Sequence, residues 1–326
     1  MRNVVQGIIC TAAGVLACAL LACSADEPST APTPDDGAIA PIQVVLFTHI
    51  EDNTPAGLPG SQVHRNNYLT LRARLLDLAA LMRAYSVRWS LEPDWSFLLA
   101  ALQYEDAGLR SSTAGLNVLR YLRDSLGSAI DPHSHEGGGY NYTDVAHLLD
   151  SLGVGGSKVI GGHIWDPALP QFQEWDRFRV PVPGQRFPQA IWRGSILMGS
   201  GTPNHVNDPI ISGIWRPMSR TSYFDDDPAG NIACIGAWKG DIPGISELLT
   251  LYRTRQVATT CLLTSTLHVR PADILAPGGL TTIENATIKT LTALRNSGHV
   301  RLTDFTALVA TWTGEYGGRA CTHRVR

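Results

Sequence analysis

The run Ile42-Gln43-Val44-Val45-Leu46-Phe47-Thr48 constrains this chain most. Its apolar residues follow one another without polar alternation, so neither face of the strand they form is suited to water. Strands buried on both faces belong to parallel sheets covered by helices. The rest of the chain repeats the theme. Tyr68 to Tyr85 carries Leu71, Leu75, Leu78 and Met82 at helical spacing, and Val87 to Leu91 reads as a second strand. Phe97 to Leu102 and Ala114 to Leu126 are helical, and Ala129 to His133 is a third strand. Thr143 caps a helix that Gly153 stops, and Lys158 to Ile160 begins a fourth strand. After an irregular stretch from Pro167 to Pro188, strands are expected at 195–198, 210–215, 232–238, 258–267 and 300–302. Helices are expected at 243–256 and 283–295, with a last one capped by Thr303-Asp304 and ending near Trp312. Alternating units imply parallel strands joined by right-handed crossovers. The fold class is therefore α/β, as one domain over 41–326. About seven units fit a distorted (β/α)7-8 barrel, with an open doubly wound sheet as the alternative.

The first residues form a separate object. Arg2 supplies a positive start, Val4 to Leu21 is mostly apolar, and the run ends in Leu20-Leu21-Ala22-Cys23. This resembles a bacterial lipobox: residues 1–22 are a signal peptide and Cys23 is the lipidated residue. Residues 23–40 are rich in Pro, Ser, Thr and Asp and read as a flexible tether. Ser24 after the cysteine points to the outer membrane, facing periplasm or cell surface. Cys23→Ser is expected to release the protein from the membrane fraction; a variant that still sediments with membranes removes the anchor reading. Cys10 and Cys18 leave with the signal, so Cys234, Cys261 and Cys321 remain for one bridge in an oxidising compartment, with the pairing open.

Charged residues make up 17% of the chain, the formal net charge is −3, and no basic run occurs. Nucleic-acid binding, which needs a positive footprint, is excluded on that ground. Without a G-x-S-x-G elbow or a Walker-type loop, serine-nucleophile and nucleotide chemistry lack a foothold. A monomer is expected.

In parallel α/β folds the residues just past the strand C-termini face the site. Those positions carry Thr48-His49-Ile50-Glu51-Asp52, Asp131-Pro132-His133-Ser134-His135, Gly161-Gly162-His163-Ile164-Trp165, Trp215-Arg216 and Leu267-His268. Converging imidazoles and carboxylates suit a divalent metal, with Zn²⁺ the expected ion. His133 and His135, two apart on an extended segment, leave the same face. In the adjacent pair Glu51-Asp52 one carboxylate ligates metal and the other accepts a proton. His163, Trp165, His205 and Trp215 are candidate substrate-binding residues, since aromatic faces stack on sugar rings.

This order of elements resembles the polysaccharide deacetylase (NodB-homology) superfamily. The resemblance implies Glu51 as base, Asp52, His133 and His135 as metal ligands, Arg216 as orienting residue and His268 as general acid, acting on an acetylated carbohydrate. Two departures stand out: the pair is Glu-Asp rather than Asp-Asp, and the histidines are spaced by two rather than four. Ile130-Asp131-Pro132-His133-Ser134-His135 also resembles the H-x-H of amidohydrolase barrels, which would enlist His163 and His268. A third alternative is a non-catalytic glycan-binding lipoprotein. Asp225-Asp226-Asp227-Pro228 reads as a solvated turn before it reads as a Ca²⁺ site.

Overall fold

The computed structural model describes residues 39–163, 170–198 and 210–325. Cys23 and the signal and tether segments, together with Trp165 and His205, lie outside the described residues. The strands are β1 (Ile42–Ile50), β2 (Ser90–Pro93), β3 (Ala129–Ile130), β4 (Val159–Ile160), β5 (Val182–Pro183), β6 (Ile191–Trp192), β7 (Ile196–Leu197), β8 (Ile210–Trp215), β9 (Ala233–Ile235), β10 (Thr264–His268), β11 (Val300–Thr303) and β12 (Cys321–Val325).

Parallel pairing runs β10-β1-β2-β3 in one sheet and β4-β7-β9 in the other. Two seams join them. A parallel bridge links His133 to Gly161, between β3 and β4. On the far side Thr266 N donates to Ala237 O, just past β9, at 3.1 Å. The result is a distorted α/β barrel of parallel strands, and the alternating pattern of the sequence is realised in it. The distortion sits at β8, which pairs antiparallel with β9 and β12 and reaches β10 through the Ser212 hydroxyl, 2.8 Å from both Thr264 O and Thr264 N.

β1 explains the placement of the site. Val44, Leu46 and Ile50 pack against the surrounding helices, while Val45 and Phe47 join Val159, Ile196, Ile214, Ile235 and Phe305 in a second apolar cluster. Both faces are buried, as the unbroken apolar run requires. Side chains alternate along a strand, so His49 and Glu51 extend the row of Val45 and Phe47 toward the strand's C-terminal end.

Helix ends follow local chemistry. Gln62–Ala84 starts earlier than its apolar pattern because the Ser61 hydroxyl accepts from His64 N. Asp94 caps Trp95–Tyr104 and Asp304 caps Phe305–Glu315. The helix expected to be capped by Thr143 is Tyr142–Ser151, and its cap is Asn141 in a capping box with Asp144. Asn141 and Asp144 exchange side-chain and backbone bonds across three residues, which satisfies two orphan N–H groups instead of one. β10 begins at Thr264 rather than at Ala258, because Cys261 N turns back to Ala258 O. β12 was not expected from its sequence. Cys321, its first residue, forms the disulfide with Cys261, which settles the open pairing. Cys234 is buried with Sγ 3.3 Å from Tyr223 Oη. Among the described residues no helix is long and apolar enough to cross a membrane.

Candidate metal centre

Strand ends deliver four histidines to one place. The ring centroids of His49 and His268 lie 3.8 Å apart, those of His49 and His133 4.6 Å, and those of His133 and His135 4.9 Å. Phe47 stacks on His268 at 5.0 Å and forms the floor beneath them. Glu51 is the hub. Its Oε1 is 3.3 Å from His49 Nε2, and its Oε2 is 3.4 Å from His133 Nε2 and 3.2 Å from His135 Nε2.

These separations fit a divalent ion. Four-coordinate zinc with bonds of about 2.0–2.2 Å sets neighbouring ligand atoms roughly 3.3–3.6 Å apart. One ligand atom each from His49, Glu51 and His133 lies within 4.8 Å of the other two. His133 is wholly buried, and neither ring nitrogen has a hydrogen-bond partner among the described residues. A buried polar pair left in this state is costly unless an ion-pair or metal partner takes it up. The donor set of imidazoles and one carboxylate is the kind zinc takes.

The charges around the cluster are strongly coupled. Burial pushes the Glu51 carboxyl up, but the imidazoles of His133 and His135 overcome this and hold it well below the usual carboxylate range. Burial works against a charged His133, yet Glu51 and Glu92 on its two sides lift it to about 9. His49 is held down to about 2, first by burial and then by its cationic neighbour His133. His268 falls to about 4 for the same two reasons in the same order. Behind them, burial lifts Asp94 to about 6, with Asp52 among the smaller contributors, and Glu92 is raised by burial with His133 opposing.

The site therefore differs from the sequence expectation in its members. Glu51, expected as a base, sits among the imidazoles in the position foreseen for Asp52. Asp52 is not one of the compact group; its carboxylate lies against the loop after His135, where a side chain on Gly137 would come within 2.1 Å of Oδ2. His49, to which the sequence pattern assigns no individual role, completes the group. The signal was present: His49 and Glu51 are two apart on a strand and share a face. His133 belongs to the group, and His135 reaches Glu51 from a half-exposed position.

Arg216 is elsewhere. Its guanidinium makes a two-pronged pair with Asp226, with Nε to Oδ1 at 3.1 Å and Nη2 to Oδ2 at 2.7 Å, and lies over the Trp312 ring. No hydrogen bond or ion pair among the described residues joins it to the imidazole cluster. The reason is local: the turn after β8 brings Asp226 back beside it through the Pro217–Asp226 bridge. That pairing also accounts for the acidic triplet as a turn, since Asp227 meets Arg179 at 3.5 Å and accepts from Ala229 N. Trp215 is a core residue, 1% exposed, whose Nε1 donates to Tyr223 O, so it offers no face to a sugar. His163 is buried one residue after Gly162, which lies against the His133 ring, and it is outside the His49–Glu51–His133 group.

No family model matches the chain, and no curated protein matches it. Among solved structures, the chain is similar to a probable polysaccharide deacetylase from Pseudomonas aeruginosa PAO1, at 11% identity and TM-score 0.49, over 87% of this chain and 94% of that one. It is similar to PuuE allantoinase at 11% identity and TM-score 0.48, over 86% and 92%. A 4-alpha-glucanotransferase from Thermococcus litoralis is similar at 8% identity and TM-score 0.48; there 84% of this chain spans 41% of the other. At such identities no site residue is carried over from them, and the chemistry is read from the side chains of this chain.

Proposed function

We propose that the protein is a metal-dependent hydrolase that removes acetyl groups from a carbohydrate at the cell envelope, where the lipid on Cys23 holds it. One observation carries the reading: a carboxylate and imidazoles from separate strand ends meet at tetrahedral-edge distances at the mouth of an α/β barrel. His49, Glu51 and His133 would hold the ion, with His135 beside them. Zn²⁺ is the ion that this donor set suits best. When bound, the ion supplies a polarised acyl carbonyl and water of lowered pKa.

The remaining work falls to the chain. With Glu51 among the ligands, the proton-accepting role passes to Asp52 and Asp94, the second of which feels the charges of His133, Asp52 and His135. Asp94, lifted to about 6 by burial, is poised near neutrality, where proton transfer is most effective. His268 is held neutral by burial and by His133, so it delivers a proton to the leaving amine only after receiving one within the site. Its Nε2 is buried without a hydrogen-bond partner among the described residues, which keeps that nitrogen available.

The test is metal analysis of purified protein together with acetate release from N- and O-acetylated glycans. We expect roughly one zinc per chain, loss of acetate release on chelation and recovery on adding zinc. His268→Gln is expected to keep the zinc and lower kcat by about 10²-fold. A wild-type protein that takes up no divalent metal and releases no acetate refutes the proposal.

A further inference from the structure

We infer that Glu92 is a positioning residue that fixes the His133 ring as a metal ligand; the inference rests on the metal reading above. Glu92 is fully buried on β2, in register with His49 of β1. Neither carboxylate oxygen accepts a hydrogen bond among the described residues. A carboxyl group taken out of water without partners is expensive, so a reason for it must be close by. The one ion-pair contact of Glu92 among the described residues is His133 Nδ1, 3.7 Å from Oε2. The other ring nitrogen, Nε2, faces Glu51 Oε2 at 3.4 Å. His133 is thus held between two carboxylates: Glu51 on the side of the ion, and Glu92 behind it where no substrate reaches.

The backbone is shaped to allow this. A side chain on Gly161 would come within 2.6 Å of Pro132 O and 3.0 Å of Glu92 Oε2. On Gly162, whose φ is +81°, a side chain would come within 2.6 Å of His133 Cε1. The seam strand therefore gives up two side chains to make room for Glu92 and the ring. A neutral imidazole has one N–H and one lone pair. A carboxylate beside Nδ1 keeps the proton there, leaves the lone pair on Nε2, and orients the ring.

The experiment titrates metal-free wild type, Glu92→Gln and Glu92→Leu with Zn²⁺ against a chromophoric chelator. The zinc-loaded wild type, ¹⁵N-labelled on histidine, is followed in parallel by NMR. We expect affinity to fall about 10-fold in Glu92→Gln and toward 100-fold in Glu92→Leu. In the wild type, His133 should carry its proton on Nδ1 and the metal on Nε2. Equal zinc affinity in wild type and both variants overturns the inference and leaves the metal site standing. Metal on Nδ1 of His133 overturns it without any variant having to fold. A wild type that binds no zinc overturns the metal reading itself, and this inference with it.

Discussion

Glu51→Ala is expected to weaken divalent-metal binding by well over 100-fold and acetate release by more than 10³-fold, while Asp52→Ala keeps its metal. The asymmetry follows from contacts. Glu51 lies 3.2–3.4 Å from three imidazole nitrogens, and removing it deletes the one anion in the compact group. It also takes away the charge that draws His133 and His135 together, so the remaining rings face one another with mainly mutual repulsion once protonated. Asp52 lies against the Gly137 loop, outside the compact group, and in the proposed reading it serves proton transfer instead of holding the ion. Its variant should therefore lose turnover with stoichiometric zinc in place. Metal content by emission spectroscopy, with affinity by calorimetry, separates the two. Retained zinc in Glu51→Ala together with lost zinc in Asp52→Ala would reverse the assignment. Low pH should act in the same direction as the mutation. His133 must give up a proton to ligate, and that proton is held to about pH 9 by its flanking carboxylates. Zinc affinity should accordingly rise with pH through the neutral range.

How much of this was legible in the sequence differs by element. β1 was readable because an unbroken apolar run of strand length is at home only where helices or a second sheet cover both its faces, and its end marked the site. The His133 and His268 positions were readable from the rule that strand C-termini face the site. Which member of Glu51-Asp52 points inward was not, because adjacent residues on a strand face opposite ways and the choice depends on register. The row Val45, Phe47, His49, Glu51 fixes it once Phe47 is known to face the barrel interior. Arg216 misled because its strand-end position is correct while its partner, Asp226, comes from ten residues on. β12 was missed for a related reason. Its polar residues lie half-exposed beside β8, so it has no buried pattern to announce it. Glu92 reads as an ordinary acidic residue and Asp131 as one more polar strand end, and only burial reveals both as carboxyls that are costly to ionise.

Asp131→Asn should stabilise the metal-free protein relative to wild type increasingly as pH rises, with a swing of about 4 kcal/mol across the range. Asp131 lies just past β3, 4% exposed, and accepts from the Ser157 hydroxyl at Oδ1, 2.6 Å away. Burial, reinforced by the nearby Glu92 carboxyl and opposed by Ser157, lifts it from 3.8 to about 7. The sign follows from proton counts. Between about pH 4 and pH 7 the folded chain keeps a proton on Asp131 that the unfolded chain has lost, so folding stability falls as pH rises through that window and levels off above it. Roughly three pH units at about 1.4 kcal/mol each give the figure of about 4 kcal/mol. Asparagine retains an acceptor for Ser157 and cannot ionise, so this loss disappears in the variant. Its buried amide N–H groups impose a cost of about 1–3 kcal/mol that does not change with pH. The quantity to read is therefore the difference between the two unfolding curves as a function of pH, not its value at one pH. Urea unfolding midpoints of chelator-treated wild type and Asp131→Asn, taken from pH 5 to pH 8.5, capture about two of those three units, or roughly 3 kcal/mol of the swing. The gap should widen in the variant's favour up to about pH 7 and then stay constant. Parallel curves over the whole range would mean that Asp131 is ionised at ordinary acidity in the folded chain, and that water or a cation reaches a carboxylate that the packing around β3 seals off.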